Sequence, residues 1–198
     1  MKLKQRCISS ILTLVLIISG ISVSDAYNKD SSAYKLTNIS NIGIEFSDII
    51  GHWAESQIKD FISQGYVNGY PDGTFNPNGS IKRAEFVKIF NNYFGLTTKN
   101  GNVFNDTVNH WAKDEIDIAV TNGVCQGTSA MTFEPDAPIT REQAAKMIAN
   151  YRQLKSWGDD VVEFADYNEM SSWAIDSIDS VVYAGHMNSA YESPYFRP

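Results

Sequence analysis

Residues 46–54 read FSDIIGHWA, and residues 104–112 read FNDTVNHWA. The likeness extends well past these nine positions, because residues 46–96 align with residues 104–154 without a gap, at a constant offset of 58 residues. Of the 51 aligned positions, 17 are identical. Self-similarity at a fixed period of this length indicates a repeated structural unit.

A third and looser copy follows the first two. It begins at Phe164 and keeps Asp166, Trp173, Phe196 and Pro198 in the same order. The spacing in the first copy would put the helix-opening arginine of this copy beyond Pro198, so we expect the third copy to be incomplete. We therefore divide the chain into repeat 1 (residues 46–96), repeat 2 (104–154) and a partial repeat 3 (164–198). Residues 27–45 form a leader, and residues 155–163 form a linker.

Each copy is predicted to fold as helix, loop, helix. In repeat 1, apolar residues recur every three or four positions over residues 53–64 and again over residues 82–94. Gly65 and Gly95 follow these segments, where a helix commonly ends. In repeat 2 the second helix opens with TREQ at residues 140–143, a capping-box pattern. One such pair of helices cannot bury its apolar face alone, so the copies must pack on one another or on a partner.

The N-terminus has the features of a signal peptide. Three basic residues precede an apolar run over residues 8–18, and small side chains at Ser24 and Ala26 suit a signal-peptidase site. The apolar run is shorter than the roughly 20 residues that a membrane span needs. We predict that residues 1–26 are removed during export and that the mature chain has no transmembrane segment.

Charge and composition exclude several classes of function. The net charge of −7 leaves no broad basic surface for nucleic acid. Cys7 lies in the signal peptide, so Cys125 has no partner for an intramolecular disulfide. His52 and His110 each stand without a second metal ligand at useful spacing, and residues 27–198 contain no His-Glu-x-x-His motif or nucleophile elbow. We expect no enzymatic activity, no metal and no cofactor.

The repeats resemble the S-layer homology (SLH) domain family. The matching motifs are FSD at residues 46–48, GHWA at 51–54, NGYPDGTF at 68–75 and RAE at 83–85. The resemblance covers residues 46–198. It implies a mainly α fold in which helix-loop-helix repeats pack as a pseudo-threefold bundle with outward lobes, here with the third lobe truncated.

The same resemblance implies a function in surface anchoring. Members of the family attach secreted proteins non-covalently to the bacterial cell wall, commonly through a secondary wall polysaccharide that carries ketal-linked pyruvate. The expected location is therefore the cell wall or S-layer at the bacterial cell surface. The ligand grooves lie between lobes. The residues expected there are Arg83, Arg141, Asp48, Asp106, Trp53, Trp111, Lys82, Gly69 and Gly127.

Physical chemistry supports these assignments. A guanidinium can fork onto both oxygens of a pyruvyl carboxylate, and Arg83 and Arg141 both lie in a predicted first helical turn, where free backbone N–H groups also favour an anion. Lys82, which replaces the usual threonine, adds a second cation. A tryptophan ring can lie against a sugar ring, and an aspartate can accept hydrogen bonds from sugar hydroxyls.

Each of these residues also has a purely structural interpretation. An arginine could form a surface ion pair with a neighbouring glutamate, a tryptophan at a repeated position could belong to the core, and an aspartate could cap a turn or helix. Three alternative functions also stay open. The chain could be the truncated anchor portion of a larger surface enzyme or S-layer protein, an assembly subunit whose third repeat is completed by self-association, or a peptidoglycan binder.

Overall fold

The computed structural model of the protein describes residues 46–156, 163–187 and 194–198. These ranges contain five α-helices and no strand, which confirms the mainly α fold. The helices are α1 (Glu55–Ser63), α2 (Arg83–Phe94), α3 (Lys113–Thr121), α4 (Arg141–Arg152) and α5 (Ile175–Tyr183). The pseudo-threefold arrangement stays a prediction. The signal peptide, the leader and most of the linker at 155–163 lie outside the described residues.

The helices end where the sequence predicts. Gly65 and Gly95 have φ of 75° and 64°, the left-handed region that glycine adopts at low cost. Helix α4 ends at Arg152 and is followed by Gln153, whose φ of 53° is also in the left-handed region. At its start, the Thr140 hydroxyl accepts a hydrogen bond from the backbone N–H of Gln143. The first helices begin two residues later than expected, so Trp53 and Trp111 precede them.

The three first helices bury the same two positions. Each has an alanine just before the helix and an isoleucine one turn into it, and all six side chains are fully buried. They are Ala54, Ile58, Ala112, Ile116, Ala174 and Ile178. Because burial of apolar surface is the main favourable term in folding, this shared pattern places repeat 3 in the same core as repeats 1 and 2.

The repeats interlock through their second helices. Helix α2 of repeat 1 packs on α3 of repeat 2, and α4 of repeat 2 packs on α5 of repeat 3. The centroid of the Tyr151 ring on α4 also lies 4.6 Å from that of Phe94 and 5.3 Å from that of Phe90, both on α2. Each repeat therefore uses its neighbour to cover its apolar surface, as one helix pair cannot do alone.

One aspartate in each repeat holds the loop of that repeat. The carboxylate of Asp48 accepts the backbone N–H groups of Phe75 at 3.1 Å and of Asn76 at 2.6 Å. The carboxylate of Asp106 accepts those of Phe133 and Glu134 in the same way. In repeat 3, Asp166 does so for residues 196–197. Each carboxylate thus fixes a segment about 30 residues further along the chain.

The connection between repeats 1 and 2 is also held by a buried carboxylate. Asp117 on α3 accepts the backbone N–H groups of Asn100, Gly101 and Asn102, at distances of 2.9–3.3 Å. Burial alone would raise the pKa of Asp117, but these hydrogen bonds outweigh it and lower the pKa to about 2. The ionised side chain therefore stabilises the folded state.

We expect this stabilisation to depend on pH in a defined direction. The pKa of Asp117 is lower in the folded state than in the unfolded state, where it is near 3.9. The contribution of Asp117 to the free energy of unfolding is therefore complete above about pH 3.9, and it is lost as the pH falls through about 2. Asp117→Asn should therefore lower the free energy of unfolding by about 2 kcal/mol at pH 7, with a smaller deficit near pH 2.5. Urea unfolding followed by circular dichroism measures both values.

The exposed Asp114, on the same helix, provides a matched control. Its carboxylate makes a surface ion pair with Lys99, so Asp114→Asn should change the free energy of unfolding by less than about 1 kcal/mol. Equal effects of the two substitutions at pH 7 would contradict the role assigned to Asp117.

Candidate functional site

The opening of α2 is docked on repeat 2. The backbone N–H groups of Arg83 and Ala84 donate to the carbonyl oxygens of Ala137 and Pro135, both at 2.9 Å. In return, Ile139 donates its N–H to the carbonyl oxygen of Ile81 at 3.0 Å. The first turn of α2 therefore has fewer free N–H groups for an anion than the sequence predicts, because the neighbouring repeat already uses two of them.

The side chain of Arg83 continues this contact between repeats. It is only 6% exposed. Its Nη2 donates to the carbonyl oxygen of Gln126 at 2.8 Å, and its guanidinium carbon lies 4.6 Å from the centroid of the Phe133 ring. Burial lowers the pKa of Arg83 from its usual value. Among the described residues, no carboxylate forms an ion pair with this side chain, so the surface ion pair considered from the sequence is absent.

Arg141 repeats the arrangement one repeat further on. Its Nε donates to the carbonyl oxygen of Phe196 at 2.8 Å, and its guanidinium carbon lies 4.8 Å from the centroid of the Phe196 ring. Burial, together with the positive charge of Arg197, lowers the pKa of Arg141 to about 10, which leaves the group charged at neutral pH. Both arginines thus bind the loop of the next repeat, and their contact with a ligand stays a prediction.

A group of polar and aromatic side chains lies on the surface where α2 meets repeat 2. We call it the first seam and define it by Lys82, Lys88, His110, Trp111 and Asp136. Lys82 Nζ lies 2.7 Å from Asp136 Oδ1, and His110 Nε2 lies 3.5 Å from Asp136 Oδ2. Lys88 Nζ lies 5.6 Å from the centroid of the Trp111 ring. Two cations from repeat 1 therefore face an aromatic ring and an acidic side chain from repeat 2.

The charges at the first seam influence one another. The hydrogen bond and charge of Asp136 raise the pKa of Lys82, and the hydrogen bond from Lys82 lowers the pKa of Asp136. Both side chains are about half exposed or more, at 48% and 62%. The pair is therefore accessible to solvent and to a ligand.

The three repeated tryptophans are exposed rather than buried. Trp53, Trp111 and Trp173 have exposed fractions of 51%, 56% and 50%. A fully buried core position, one interpretation of the sequence, is therefore excluded for all three. A half-exposed indole presents an apolar face on which a sugar ring can pack.

The remaining expected site residues serve the loops of their own repeats. Asp48 and Asp106 hold these loops through the backbone hydrogen bonds described above. Gly69 lies so close to the Phe46 ring that a Cβ would collide with it, and a Cβ on Gly127 would lie 2.5 Å from Cε1 of Phe104. Close packing explains both glycines, and ligand contact by these four residues stays a prediction.

Sequence reasoning did not identify three residues of the first seam as site residues. The repeat alignment does mark Lys88, because the aligned residue in repeat 2 is also a lysine, Lys146. His110 was considered only as a metal ligand. Asp136 had no signal, because the aligned residue in repeat 1 is Asn78. His110 and Asp136 meet within repeat 2, and Lys88 joins them through the packing of α2 on repeat 2.

The described ranges also bear on metal binding, on the reactivity of Cys125 and on membrane insertion. In these ranges, no three or more His, Cys, Asp or Glu side chains are grouped so as to hold a metal ion. Cys125 is buried, and burial raises the pKa of its thiol to about 12. Among the described helices, none combines the length and apolar character needed to cross a membrane.

Comparison with known proteins matches two parts of the chain to a family. The model of the S-layer homology domain matches residues 45–87 and 103–145. A surface-layer 125 kDa protein of Lysinibacillus sphaericus is 35% identical over 123 residues, which are 62% of this chain and 10% of that protein. A cellulosome-anchoring protein of Acetivibrio thermocellus is 34% identical over 150 residues, which are 72% of this chain and 34% of that protein.

An enzyme is also among the similar proteins. An endoglucanase of Bacillus sp. (strain KSM-635) is 34% identical over 159 residues, which are 79% of this chain and 16% of the enzyme. The chain therefore spans about a third or less of the length of these relatives.

The buried contact of Arg83 leads to a prediction about stability. Arg83→Ala removes the donor to the carbonyl oxygen of Gln126 and leaves a space against the Phe133 ring, so it should lower the free energy of unfolding by about 2–4 kcal/mol. Arg152→Ala is the control, because Arg152 is exposed and lies over the Phe94 ring at 5.1 Å. Its loss should be below about 1 kcal/mol. Urea unfolding measures both, and equal losses would contradict the role of Arg83 between the repeats.

Proposed function

Because residues 45–87 and 103–145 of this chain are S-layer homology repeats, we propose that the chain binds the bacterial cell wall non-covalently through a secondary wall polysaccharide. The proposed polymer is anionic and carries pyruvate as a ketal. The matched repeats are an anchoring module rather than a catalytic domain, and the family and its S-layer relatives indicate a position at the bacterial cell surface.

The observation that carries the proposal is the exposed Trp111 ring beside Lys88, with Lys82 at the same contact between repeats. A sugar ring offers an apolar face to an indole, and a carboxylate attached to the sugar requires a cation close to that face. The first seam has both features, with Lys88 Nζ 5.6 Å from the ring centroid. Lysine is well suited to an exposed position of this kind because its ammonium is a compact charge on a flexible stem.

The local charge supports an anionic ligand in spite of the acidic chain. The overall net charge of −7 repels polyanions at long range. Physiological salt, however, screens most of this field beyond about 8 Å. At short range the first seam carries two lysines against the one carboxylate of Asp136. We therefore propose that the ligand is recognised by direct contact at the seam.

The second contact between repeats shares one feature with the first seam, an exposed tryptophan, and this supports the proposal of a polymeric ligand. The second contact between repeats, where Arg141 meets Phe196, has an exposed Trp173 in the same repeat. Two weak sites on one chain can bind two units of the same polysaccharide. Once the first unit is bound, binding of the second unit is effectively intramolecular. This arrangement suits a protein that must stay on the wall without a covalent bond.

A larger protein is a second proposal that the comparisons favour. The Bacillus endoglucanase resembles 79% of this chain and is several times longer. We propose, as the alternative, that these repeats are the anchor portion of a larger surface enzyme or S-layer protein. The wall-binding chemistry at the first seam would be the same in either case.

Co-sedimentation of the purified chain with cell walls tests the proposed function. We expect the chain to sediment with native walls and to bind much less to walls treated with mild acid, which hydrolyses a pyruvyl ketal. Binding to neither preparation would refute wall anchoring. Equal binding to both would refute the pyruvylated ligand and favour peptidoglycan.

A substitution at the first seam tests the site. Trp111→Ala should weaken binding to native walls about tenfold, because a stacked ring contributes on the order of 1–1.5 kcal/mol. Tyr183→Ala is the matched control, since Tyr183 is an exposed aromatic residue at the end of α5. Binding curves of the two variants should separate clearly, and overlapping curves would exclude Trp111 from the site.

A further inference from the structure

The Asp136 carboxylate lies between donors from two repeats. Oδ1 accepts from Lys82 Nζ of repeat 1 at 2.7 Å, and Oδ2 lies 3.5 Å from His110 Nε2 of repeat 2. The Lys82 and Asp136 side chains are largely exposed, whereas that of His110 is mostly buried. One carboxylate thus bridges a flexible cation and a fixed ring at the surface.

The orientation of His110 makes its outer nitrogen a donor. Its Nδ1 accepts the backbone N–H of Ala112 at 3.1 Å. A neutral imidazole that accepts at Nδ1 carries its proton on Nε2, which faces Asp136. The Nε2–H of His110 and the ammonium of Lys82 therefore both face the position that the Asp136 carboxylate occupies.

Repeat 1 contains the same histidine without the charges. His52 Nδ1 accepts the backbone N–H of Ala54 at 3.3 Å, and His52 Nε2 lies 3.5 Å from Oδ1 of Asn78. Asn78 aligns with Asp136. In repeat 1, His52 therefore keeps its bond to the backbone of Ala54 although its outer nitrogen faces the neutral amide of Asn78. We infer that the fold of the repeat does not require the charge of Asp136.

We propose that Lys82 Nζ and His110 Nε2 form an anion subsite that Asp136 fills in the free protein and that a carboxylate of the wall polymer fills on binding. This inference rests on the proposed function and names the atoms that receive the ligand's charge. The Trp111 ring, whose centroid lies 5.3 Å from that of His110, is adjacent to the subsite and can hold the sugar that carries the carboxylate.

Displacement of Asp136 requires the movement of one side chain only. The carbonyl oxygens of its neighbours, Pro135 and Ala137, bind the backbone N–H groups at the start of α2, so the main chain on both sides of Asp136 is held. An exposed ion pair contributes little to stability, and its loss is inexpensive when another anion takes its place. Rotation of Asp136 towards solvent therefore opens the subsite without disturbing the contact between repeats.

The resident carboxylate makes the subsite selective. A ligand carboxylate replaces the lost contacts of Asp136, whereas a neutral sugar leaves Lys82 and His110 without an anion. Displacing Asp136 costs the same free energy for every ligand that enters the subsite, so only a ligand whose carboxylate replaces the lost contacts is favoured there. Discrimination of this kind arises from a competing contact within the protein.

Substitution of Asp136 tests the inference by wall co-sedimentation. Asp136→Asn should bind native walls about two- to fivefold more tightly than the unaltered chain, the range expected for release of an exposed ion pair. Asp114→Asn is the control, because it removes the same charge from an exposed lysine pair elsewhere in repeat 2. This control should stay within about 1.5-fold of the unaltered chain, because Asp114 pairs with Lys99 and not with a cation of the subsite.

A double substitution separates the subsite from a general field effect. In a Lys82→Gln background, Asp136→Asn should bring no gain, because the cation it would release is absent. A gain in that background, or equal gains from Asp136→Asn and Asp114→Asn, would overturn the inference. Failure of the unaltered chain to bind walls would instead count against the proposed function.

A second measurement decides the inference without walls. The imidazole resonances of His110 are followed by NMR during titration with sodium pyruvate, a small carboxylate probe. They should shift at severalfold lower pyruvate concentration in Asp136→Asn than in the unaltered chain, and they should not respond in Lys82→Gln/Asp136→Asn. Identical titrations of the first two proteins would exclude the subsite, whatever the wall experiment gives.

Discussion

In each repeat, one aspartate carboxylate accepts two consecutive backbone N–H groups from a loop about 30 residues away. Asp48, Asp106 and Asp166 make this contact in repeats 1, 2 and 3. Backbone N–H groups removed from water need an acceptor, and a charged acceptor makes the stronger bond. The contact fixes the loop, and the contacts of Arg83 and Arg141 with the next repeat are built on the loop.

The connection between repeats follows from this constraint. Asp106 fixes the loop that carries Phe133, and the Phe133 ring together with the carbonyl oxygen of Gln126 receives the Arg83 guanidinium. The same loop continues into Pro135 and Ala137, whose carbonyl oxygens bind the start of α2. Arginine suits this position because its planar group can donate to a carbonyl and stack on a ring at the same time. Helix α2 is thus oriented by a loop that belongs to the next repeat.

The packing divides the positive charges into two classes. Arg83 and Arg141 are engaged by the loops of neighbouring repeats and stabilise the arrangement of the repeats. Lys82 and Lys88 lie at the surface of the same contact, Lys82 against Asp136 and Lys88 next to the exposed Trp111. In the proposed function, the arginines position the first seam and the lysines meet the ligand. A chain with an acidic net charge can therefore present two lysines to a ligand where two repeats join.

Periodicity and turn chemistry in the sequence were enough to predict the mainly α fold, the two-helix repeats and the helix ends at Gly65 and Gly95, because these features depend on neighbours within a few residues. The roles of Asp48 and Asp106 were left open, because a carboxylate can hold a loop or bind a sugar equally well. Only the tertiary structure decided that Arg83 is buried and that Lys82 meets Asp136, since their partners lie 43 and 54 residues away in another repeat. The sequence alone determined what each repeat folds into, and the packing of one repeat on the next determined which side chains a ligand can reach, because burial depends on both surfaces at once.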